Sequence, residues 1–313
     1  MAPGGAEACY HPKILERHVK ETILLPTDAA WTSSRSRNPV LAFFLRHPTF
    51  VFGSGVLAIL TAVSIGAPLL TGYDPIELNI AHKLRPPSGE HLFGTDAFGR
   101  DVFSRTLYGG RVSLVVGICV AFLSTLVGCV IGLLSGYFRR LDGIVMRVMD
   151  GLMAIPGILL AIAMMALLRA NIAVLIIAIT IPDIPRVVRL VRSVVLTIRE
   201  QPYVEAAVSV GTKFPRMLFK HILPNTIPPI IVQATYIFAH AVLLEAYLSF
   251  LGVGTPPEIP SWGNIIAEGR LYVQIAFWSI LFPGLFLGMM VLSINILGDG
   301  LRDMLDPRIA RKM

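Results

Sequence analysis

The sequence predicts an all-α polytopic membrane protein with six transmembrane helices. Of its 313 residues, 54% are hydrophobic and only 15% are charged, whereas a soluble domain has about 25% charged residues. The hydrophobic residues gather in runs of about 17–25 residues, the length that a helix needs to cross the hydrocarbon core of a bilayer. A transmembrane β-barrel would instead show shorter segments of alternating polarity.

The hydrophobic runs predict the spans, and the Lys and Arg residues predict the orientation. The predicted spans cover residues 49–70, 113–137, 149–168, 171–188, 226–251 and 275–297. If the N-terminus is cytoplasmic, the inner segments together with Arg186 at the inner end of the fourth span hold 20 of the 27 basic residues, as the positive-inside rule requires. We therefore expect both termini in the cytoplasm, and we attribute the net charge of +7 to membrane topology rather than to nucleic-acid binding.

The chain divides into four regions on this basis. They are a cytoplasmic N-terminal tail (1–48), the first transmembrane helix with a periplasmic segment (49–112), a core transmembrane domain (113–297) and a cytoplasmic C-terminal tail (298–313). A cytoplasmic loop at residues 203–225 lies inside the core domain, between the fourth and fifth spans.

The loop at residues 203–225 has the pattern of two short helices joined by a bend. Tyr203 to Val210 can form the first helix. Gly211 is placed to end it, because glycine tolerates the left-handed conformation at a C-terminal cap. Pro215 suits the first turn of the second helix.

The second helix of the loop has two faces. Its apolar face carries residues at i, i+3, i+4, i+7 and i+8, namely Phe214, Met217, Leu218, His221 and Ile222. Its basic face carries Lys213, Arg216 and Lys220. Three prolines predict a bend into the fifth span, namely Pro224, Pro228 and Pro229. On these residues alone, an amphipathic turn at the membrane surface fits equally well.

The stretch "HLFGTDAFGRDVFSRTLYGGRVSL" (91–114) lies on the outer side, before the second span. Asp96 with Arg100 and Asp101 with Arg105 form i,i+4 pairs of opposite charge, which predict a short helix on the outer membrane face. Exposed pairs of this kind are each worth less than about 1 kcal/mol, so we interpret the helix as a structural brace.

Three small residues in the second span, Gly128, Gly132 and Gly136, recur at four-residue spacing. Such a stripe allows two helix backbones to approach closely. Gly284 and Gly288 repeat the spacing in the sixth span.

Glu245 lies about 27 Å along its span at the helical rise, which places it near the outer mouth. A carboxylate inside a membrane suggests a functional site, here an outer gate or pathway residue together with His240. The alternative is local pairing of Glu245 with His240 or Tyr247. Asp183, between two prolines, predicts a break near the inner end of the fourth span.

Motifs for enzymatic chemistry are absent from the sequence. No Walker A pattern, H-E-x-x-H or G-x-S-x-G occurs, and the three cysteines lack the spacing of a zinc site. We expect no catalytic residue, metal or cofactor in this chain.

The loop resembles a signature of bacterial ABC-importer permeases. Glu205-Ala206-Ala207, Gly211 and Leu223-Pro224 match the spacing of their "EAA…G…LP" loop. His221 departs from the general pattern, which prefers isoleucine there, but the sequence His-Ile-Leu-Pro-Asn is common in the peptide-transporting branch. The stretches at 91–114, 243–266 and 297–308 are similar to C-type permease subunits of dipeptide and oligopeptide importers. The similarity extends from about Thr49 to Arg308.

The resemblance implies that the loop is a coupling helix that docks on a separate ATPase subunit. Glu205 would contact the ATPase, Ala206 and Ala207 would allow close approach, and Gly211 would make the bend. The full set that the resemblance assigns to coupling is Glu205, Ala206, Ala207, Gly211, Lys213, Pro215, Leu223 and Pro224.

The resemblance also implies a set of partners. They are a second, B-type permease subunit, one or two ABC ATPase subunits that hold ATP and Mg²⁺, an extracytoplasmic binding protein and the lipid of a bacterial inner membrane. The implied function is half of a translocation pathway for dipeptides or oligopeptides, worked by alternating access.

Three alternatives remain at this stage. A permease for nickel, glutathione or another small solute would share the same motifs. A stand-alone secondary transporter would favour carboxylates at mid-membrane, whereas Glu245 and Asp183 are predicted near the ends of their spans. A polytopic membrane enzyme lacks a catalytic cluster.

Overall fold

The computed structural model describes residues 48–168 and 171–305, and every regular element in these ranges is helical. The α-helices are α1 (Pro48–Ile65), α2 (Ala67–Leu70), α3 (Val102–Tyr137), α4 (Arg139–Ala154), α5 (Gly157–Leu167), α6 (Ile172–Arg199), α7 (Pro202–Ser209), α8 (Phe214–Met217), α9 (Leu223–Phe250), α10 (Trp262–Gly269) and α11 (Trp278–Leu305). A π-helical turn, Leu218–Ile222, joins α8 to α9. Residues 1–47 of the predicted N-terminal tail and residues 306–313 of the predicted C-terminal tail lie outside the described residues.

The bundle is organised around α3. This helix packs along α6, α9 and α1, while α9 also packs against α11 and α6, and α11 packs against α1. Apolar side chains of α3, α6 and α9 form the largest buried cluster, which includes Val116, Val120, Leu175, Ile179 and Leu244. An all-helical bundle was predicted, and it is confirmed.

Close approach of α3 to α6 depends on the glycine stripe. The stripe faces valines of α6 at the same four-residue spacing, namely Val187, Val191 and Val195. A Cβ added at Gly132 would lie 2.7 Å from the Cβ of Val191, closer than two carbon atoms can pack. Gly284 and Gly288 differ, because a Cβ added at either would meet nothing within 4 Å.

The outer segment before the second span is not a separate surface helix. α3 begins at Val102 and continues for 36 residues, about 54 Å at the helical rise, so its first turns extend beyond the predicted span. Asp101 starts the helix, because its Oδ2 accepts a hydrogen bond from the Ser104 N–H at 2.7 Å. The predicted pairing of Asp101 with Arg105 is therefore wrong.

Four charged side chains form a largely buried group at this end of α3, which we call the outer ion-pair cluster (Asp96, Arg100, Arg105 and Glu268). Arg105 Nη1 donates to Asp96 Oδ2 at 2.5 Å and to Glu268 Oε2 at 2.7 Å. Arg100 Nε donates to Asp96 Oδ2 at 2.7 Å, and Arg100 also pairs with Glu268. The cluster ties the segment before α3 to α10. The sequence predicted exposed ion pairs in this segment, whereas the pairs of the cluster are largely buried.

The predicted third span is bent rather than straight. α4 and α5 meet at an angle of 81°, because Pro156 disfavours helical geometry at the preceding residue and Ile155 is extended. With 11 residues, α5 is too short to cross a bilayer of about 30 Å alone.

The fourth predicted span is longer than expected and unbroken. α6 runs through Pro182 and Pro185 to Arg199, so the break predicted at Asp183 is wrong. The bend predicted at Pro224, Pro228 and Pro229 is also wrong, because helical geometry continues from Phe214 to Phe250.

Four of the described helices are long and apolar enough to cross a membrane: α1, α3, the continuous helix that ends with α9, and α11. The bent pair α4–α5 raises the number to five if it is one span. α6 is outside this set, and it carries five charged residues from its middle to its end: Asp183, Arg186, Arg189, Arg192 and Arg199.

Candidate functional site

The hairpin between α6 and α9 (residues 202–224) has a bend built on glycine. Gly211 has φ of +79°, a region that side chains disfavour. Its N–H donates to Val208 O at 2.9 Å, and the Thr212 N–H donates to Ala207 O at 3.1 Å. These two bonds form a Schellman motif, so the end of the first helix predicted at Gly211 is confirmed.

The second half of the hairpin begins with proline and is anchored by apolar side chains. Pro215 lies in the first turn of α8, as predicted. Val204, Met217, Leu218 and Ile222 are buried in the main apolar cluster of the bundle. These side chains fix the hairpin to the bundle, because moving it would expose them to water.

Aromatic and basic side chains attach the base of the hairpin to the end of α3. The Phe214 ring lies 4.7 Å from the Tyr137 ring and 4.9 Å from the Phe138 ring, measured between centroids. Arg199 Nη1 donates to Gly136 O and Tyr137 O, both at 3.4 Å. A cation here also interacts favourably with the negative end of the α3 dipole.

Ion pairs link α4 to α6 above the hairpin. Arg192 Nη2 donates to Asp142 Oδ2 at 2.6 Å, and Arg189 Nη2 donates to Asp150 Oδ1 at 2.5 Å. These ion pairs tie α4 to α6 and, through α6, to the base of the hairpin.

The outward surface of the hairpin carries most of the residues that the sequence assigned to coupling. Glu205 and Ala206 are exposed, Ala207 is half-buried, and Val210 is 86% exposed. Lys213, Pro215 and Pro224 are also exposed, and Leu223 is half-buried. Among the described residues, Glu205 has no ion-pair partner.

The two halves of the hairpin also contact one another. Asn225 Nδ2 donates to His221 O at 2.7 Å and to the Tyr203 hydroxyl at 3.3 Å. The result is a short, braced knob with buried apolar anchors on one side and an exposed Glu-Ala-Ala surface on the other. Such a knob can transmit force from a docked protein to α6 and α9.

Glu245 lies in a different environment from the hairpin. Its side chain is fully buried. Oε2 accepts from the Ser113 hydroxyl at 3.1 Å, and Oε1 accepts from the Ser249 hydroxyl at 2.8 Å. A further chain of hydroxyl and amide groups continues through Thr255, Ser261 and Asn264.

His240 does not join Glu245. Its Nδ1 lies 3.1 Å from Asp183 Oδ2 on α6. Tyr247, the other partner considered for Glu245, is exposed. The sequence did not indicate the Asp183–His240 contact, because 57 residues separate the two positions.

No three His, Cys, Asp or Glu side chains among residues 48–168 and 171–305 are grouped as a metal site.

The fold and the knob define a polytopic membrane protein with an exposed Glu-Ala-Ala surface beside its helix bundle. Comparison with protein-family models identifies the class. Residues 112–311 match the family described as "binding-protein-dependent transport system inner membrane component". Residues 40–87 match the N-terminal transmembrane domain of oligopeptide transport permease C. The chain belongs to the family of binding-protein-dependent transport inner membrane components.

Similar proteins agree on the class. A probable peptide ABC transporter permease of Sinorhizobium fredii is 51% identical over 91% of this chain and 99% of its own length. The dipeptide transport permease DppC of Alkalihalophilus pseudofirmus is 44% identical, over 83% and 86% respectively. The oligopeptide transport permease OppC of Bacillus subtilis is 38% identical, over 86% and 88%.

The solved structure of the inward-facing MetNI methionine ABC transporter shares the fold. It aligns with a TM-score of 0.53 and 20% identity, covering 64% of this chain and 96% of that chain. The predicted resemblance to ABC-importer permeases is confirmed. The chain is thus a membrane permease subunit rather than an enzyme, in a family whose ATPase is a separate subunit.

Proposed function

We propose that this chain is the C-type permease subunit of an ATP-driven importer of dipeptides or oligopeptides in a bacterial inner membrane. The braced knob at residues 202–224 carries the proposal, because it presents an exposed Glu205, which forms no ion pair with any described residue, and a small-residue surface on an anchored base. The peptide cargo is inferred from the relatives named as peptide, dipeptide and oligopeptide permeases.

The proposed topology has six spans with both termini in the cytoplasm. The bent pair α4–α5 supplies the third span, and α6 supplies the fourth in spite of its charges. The distribution of Lys and Arg supports this orientation. It places the knob in the cytoplasm, and it places the outer ion-pair cluster and the residues around Glu245 on the opposite side.

The proposed mechanism uses the knob as a lever for alternating access. Closure of the ATPase on ATP pulls the knob, and the buried anchors pass the displacement to α6 and α9. Changing the dominant state of a two-state bundle takes about 5.5 kcal/mol of differential binding. A docked knob can supply that amount, whereas a single surface ion pair cannot.

Each coupling residue has a role in this proposal. Glu205 contacts a cation or backbone N–H of the ATPase, and Ala206 and Ala207 allow its surface to approach closely. Gly211 makes the bend. Lys213, Pro215, Leu223 and Pro224 set the position of the second half of the knob.

The partners follow from the same proposal. A B-type permease subunit supplies the other half of the pathway, and one or two ATPase subunits hold ATP and Mg²⁺. A binding protein outside the membrane delivers the cargo. Glu245, sealed by hydroxyl groups, holds the outer ends of α3 and α9 together at an outer gate.

Two variants test the coupling role. Glu205→Ala removes the exposed carboxylate, and Gly211→Asp places a side chain at positive φ. We expect both proteins to reach the membrane in normal amounts while cargo-stimulated ATP hydrolysis and uptake fall by at least about tenfold, the effect of losing about 1.4 kcal/mol. Normal uptake and ATPase stimulation in both variants would contradict the proposal.

Arg216→Ala is the matched control. Arg216 is exposed on the same knob but is outside the Glu-Ala-Ala surface, so its loss should leave coupling intact. Site-specific cross-linkers at position 205 should capture an ATPase subunit. Capture of only lipid from that position would instead favour a simple membrane-surface turn.

The cargo is tested by uptake in cells that lack this gene. Labelled dipeptides and tetrapeptides should enter wild-type cells and fail to enter the deletion strain, with uptake restored by the gene. Loss of nickel or glutathione uptake alone would assign a different solute to the same permease.

A further inference from the structure

A cavity opens at the bend between α4 and α5. Its volume is about 380 Å³, within the range of about 300–1,000 Å³ that is usual for small-molecule sites. The walls come from the bend, from the middle of α6 and from α9. They include Met153, Pro156, Asp183, Arg186, His240 and Leu244.

Three of the lining side chains form a polar triad, Asp183, Arg186 and His240. Asp183 Oδ1 accepts from Arg186 Nη1 at 2.8 Å, and Asp183 Oδ2 lies 3.1 Å from His240 Nδ1. The Asp183 side chain is 1% exposed, whereas those of Arg186 and His240 are 49% and 42% exposed. The carboxylate is thus saturated and hidden, and the two nitrogen-bearing groups face open space.

The triad lies deep along its helices. Asp183 is about 17 Å from the start of α6, and His240 is about 15 Å from the end of α9, at the helical rise. In a hydrocarbon core of about 30 Å, both positions fall near the middle. This depth corrects the expectation that Asp183 lies near the end of its span.

The surroundings exclude lipid as the neighbour of this cavity. A half-exposed arginine near the middle of a bilayer is strongly unfavourable unless it faces protein or water. The non-helical backbone at Ile155 and Pro156 is subject to the same limit, and both residues are exposed in the single chain. In the assembled transporter the cavity therefore faces protein or water, and under the proposed function that space is the translocation pathway.

The N–H groups of Arg186 that make no hydrogen bond within the described residues are suited to binding an anion. Arginine has five N–H donors in a planar fork, and in the described residues the only hydrogen bond from Arg186 is the one to Asp183. The remaining donors match the two oxygens of a carboxylate. His240 donates its Nδ1–H to Asp183, so Nε2 of the neutral imidazole is an acceptor and the donors for an anion come from the Arg186 fork.

We infer that Arg186, positioned by Asp183 and flanked by His240, binds the free α-carboxylate of a short peptide in the translocation pathway. The inference deepens the proposed peptide-import function and rests on it. Every linear peptide has this carboxylate whatever its side chains, so a site of this kind can serve cargo of varied sequence. Asp183 is a positioning residue, because both of its oxygens are already bonded.

The test compares dialanine with dialanine amide in proteoliposomes that contain the complete transporter with its binding protein. We expect wild type to transport dialanine about tenfold faster than the amide, the effect of one charge-assisted contact of about 1.4 kcal/mol. Arg186→Gln should slow dialanine about tenfold and leave the amide unchanged, so the ratio approaches one. Arg186→Lys, which keeps the charge without the fork, should give an intermediate ratio.

Arg189→Gln is the matched control. Arg189 lies about one helical turn further along α6, is similarly exposed and pairs with Asp150 outside the cavity. The ratio of dialanine transport to dialanine amide transport in Arg189→Gln should therefore equal that of wild type. Asp183→Asn should reduce the preference for the carboxylate while keeping normal amounts of assembled transporter. An unchanged ratio in Arg186→Gln, with dialanine still transported, would overturn the inference and leave the peptide-import function standing.

A second measurement avoids the selectivity of the binding protein. Met153→Cys, in a chain whose native cysteines are replaced by serine, places a thiol at the cavity wall. Excess dialanine should slow labelling of this thiol, dialanine amide should not, and Arg186→Gln should abolish the protection. Equal protection by both compounds would contradict the inference, and failure of wild type to transport either one would overturn the proposed cargo together with it.

Discussion

The outer ion-pair cluster and the knob use charge in opposite ways. In the outer ion-pair cluster, Arg105 is 1% exposed and bonded to two carboxylates. On the knob, Glu205 is exposed and no described residue forms an ion pair with it. The outer ion-pair cluster lies at the start of α3, and the base of the knob packs against the end of α3.

The two regions show two uses of a charged side chain: one holds the fold together, and the other is available to a partner molecule. A buried charge is stable only when it is paired, and in the outer ion-pair cluster each carboxylate and each guanidinium is paired with another member of the cluster. An exposed charge needs no internal partner, and its free capacity remains for another molecule. The Asp183–Arg186–His240 triad combines both cases, with a saturated carboxylate behind a half-exposed guanidinium.

The largest expected effect is a loss of stability when a buried charge of the outer ion-pair cluster is removed. Arg105→Ala removes the more deeply buried of the two cations that Asp96 and Glu268 share and leaves Arg100 to pair with both. The loss should lower the free energy of unfolding by about 3 kcal/mol. Arg216→Ala, on the knob, should change it by less than about 0.5 kcal/mol. Chemical denaturation in detergent micelles measures both, and equal losses would remove the distinction between the two regions.

The glycine stripe extends the comparison to the interior of the bundle. Gly132→Val forces a side chain into Val191, where even a Cβ lies 2.7 Å away, and should cost about 1–3 kcal/mol from overpacking. Gly284→Ala meets nothing within 4 Å and serves as the control. If the purified Gly132→Val chain unfolds at the same denaturant concentration as wild type, α3 and α6 do not approach as closely as described.

The smallest expected effect is at the bend of the knob. Gly211→Ala places a Cβ at φ of +79° and should destabilise the knob by about 1 kcal/mol. Val210→Ala, at the adjacent exposed position, should have little effect on stability. Hydrogen exchange of the knob amides reports both changes, and equal protection in the two variants would show that the bend tolerates a side chain.

Local patterns in the sequence predicted much of the knob correctly. Gly211 and Pro215 mark the bend and the second helix because their backbone preferences are intrinsic to the residues. The prolines at 182, 185, 224, 228 and 229 were misinterpreted as breaks. Packing against neighbouring helices compensates for the hydrogen bonds that these prolines remove, and sequence pattern does not report that packing.

By itself, the sequence determined the class of protein, the approximate positions of most hydrophobic spans and the residues of the coupling signature, since each depends on composition or on spacing within one segment. Only the tertiary structure decided which charged side chains pair with one another. Arg105 meets Glu268, and Asp183 meets His240, across separations of 163 and 57 residues. Such contacts depend on how helices pack, and packing is a property of the whole bundle rather than of any one stretch of chain.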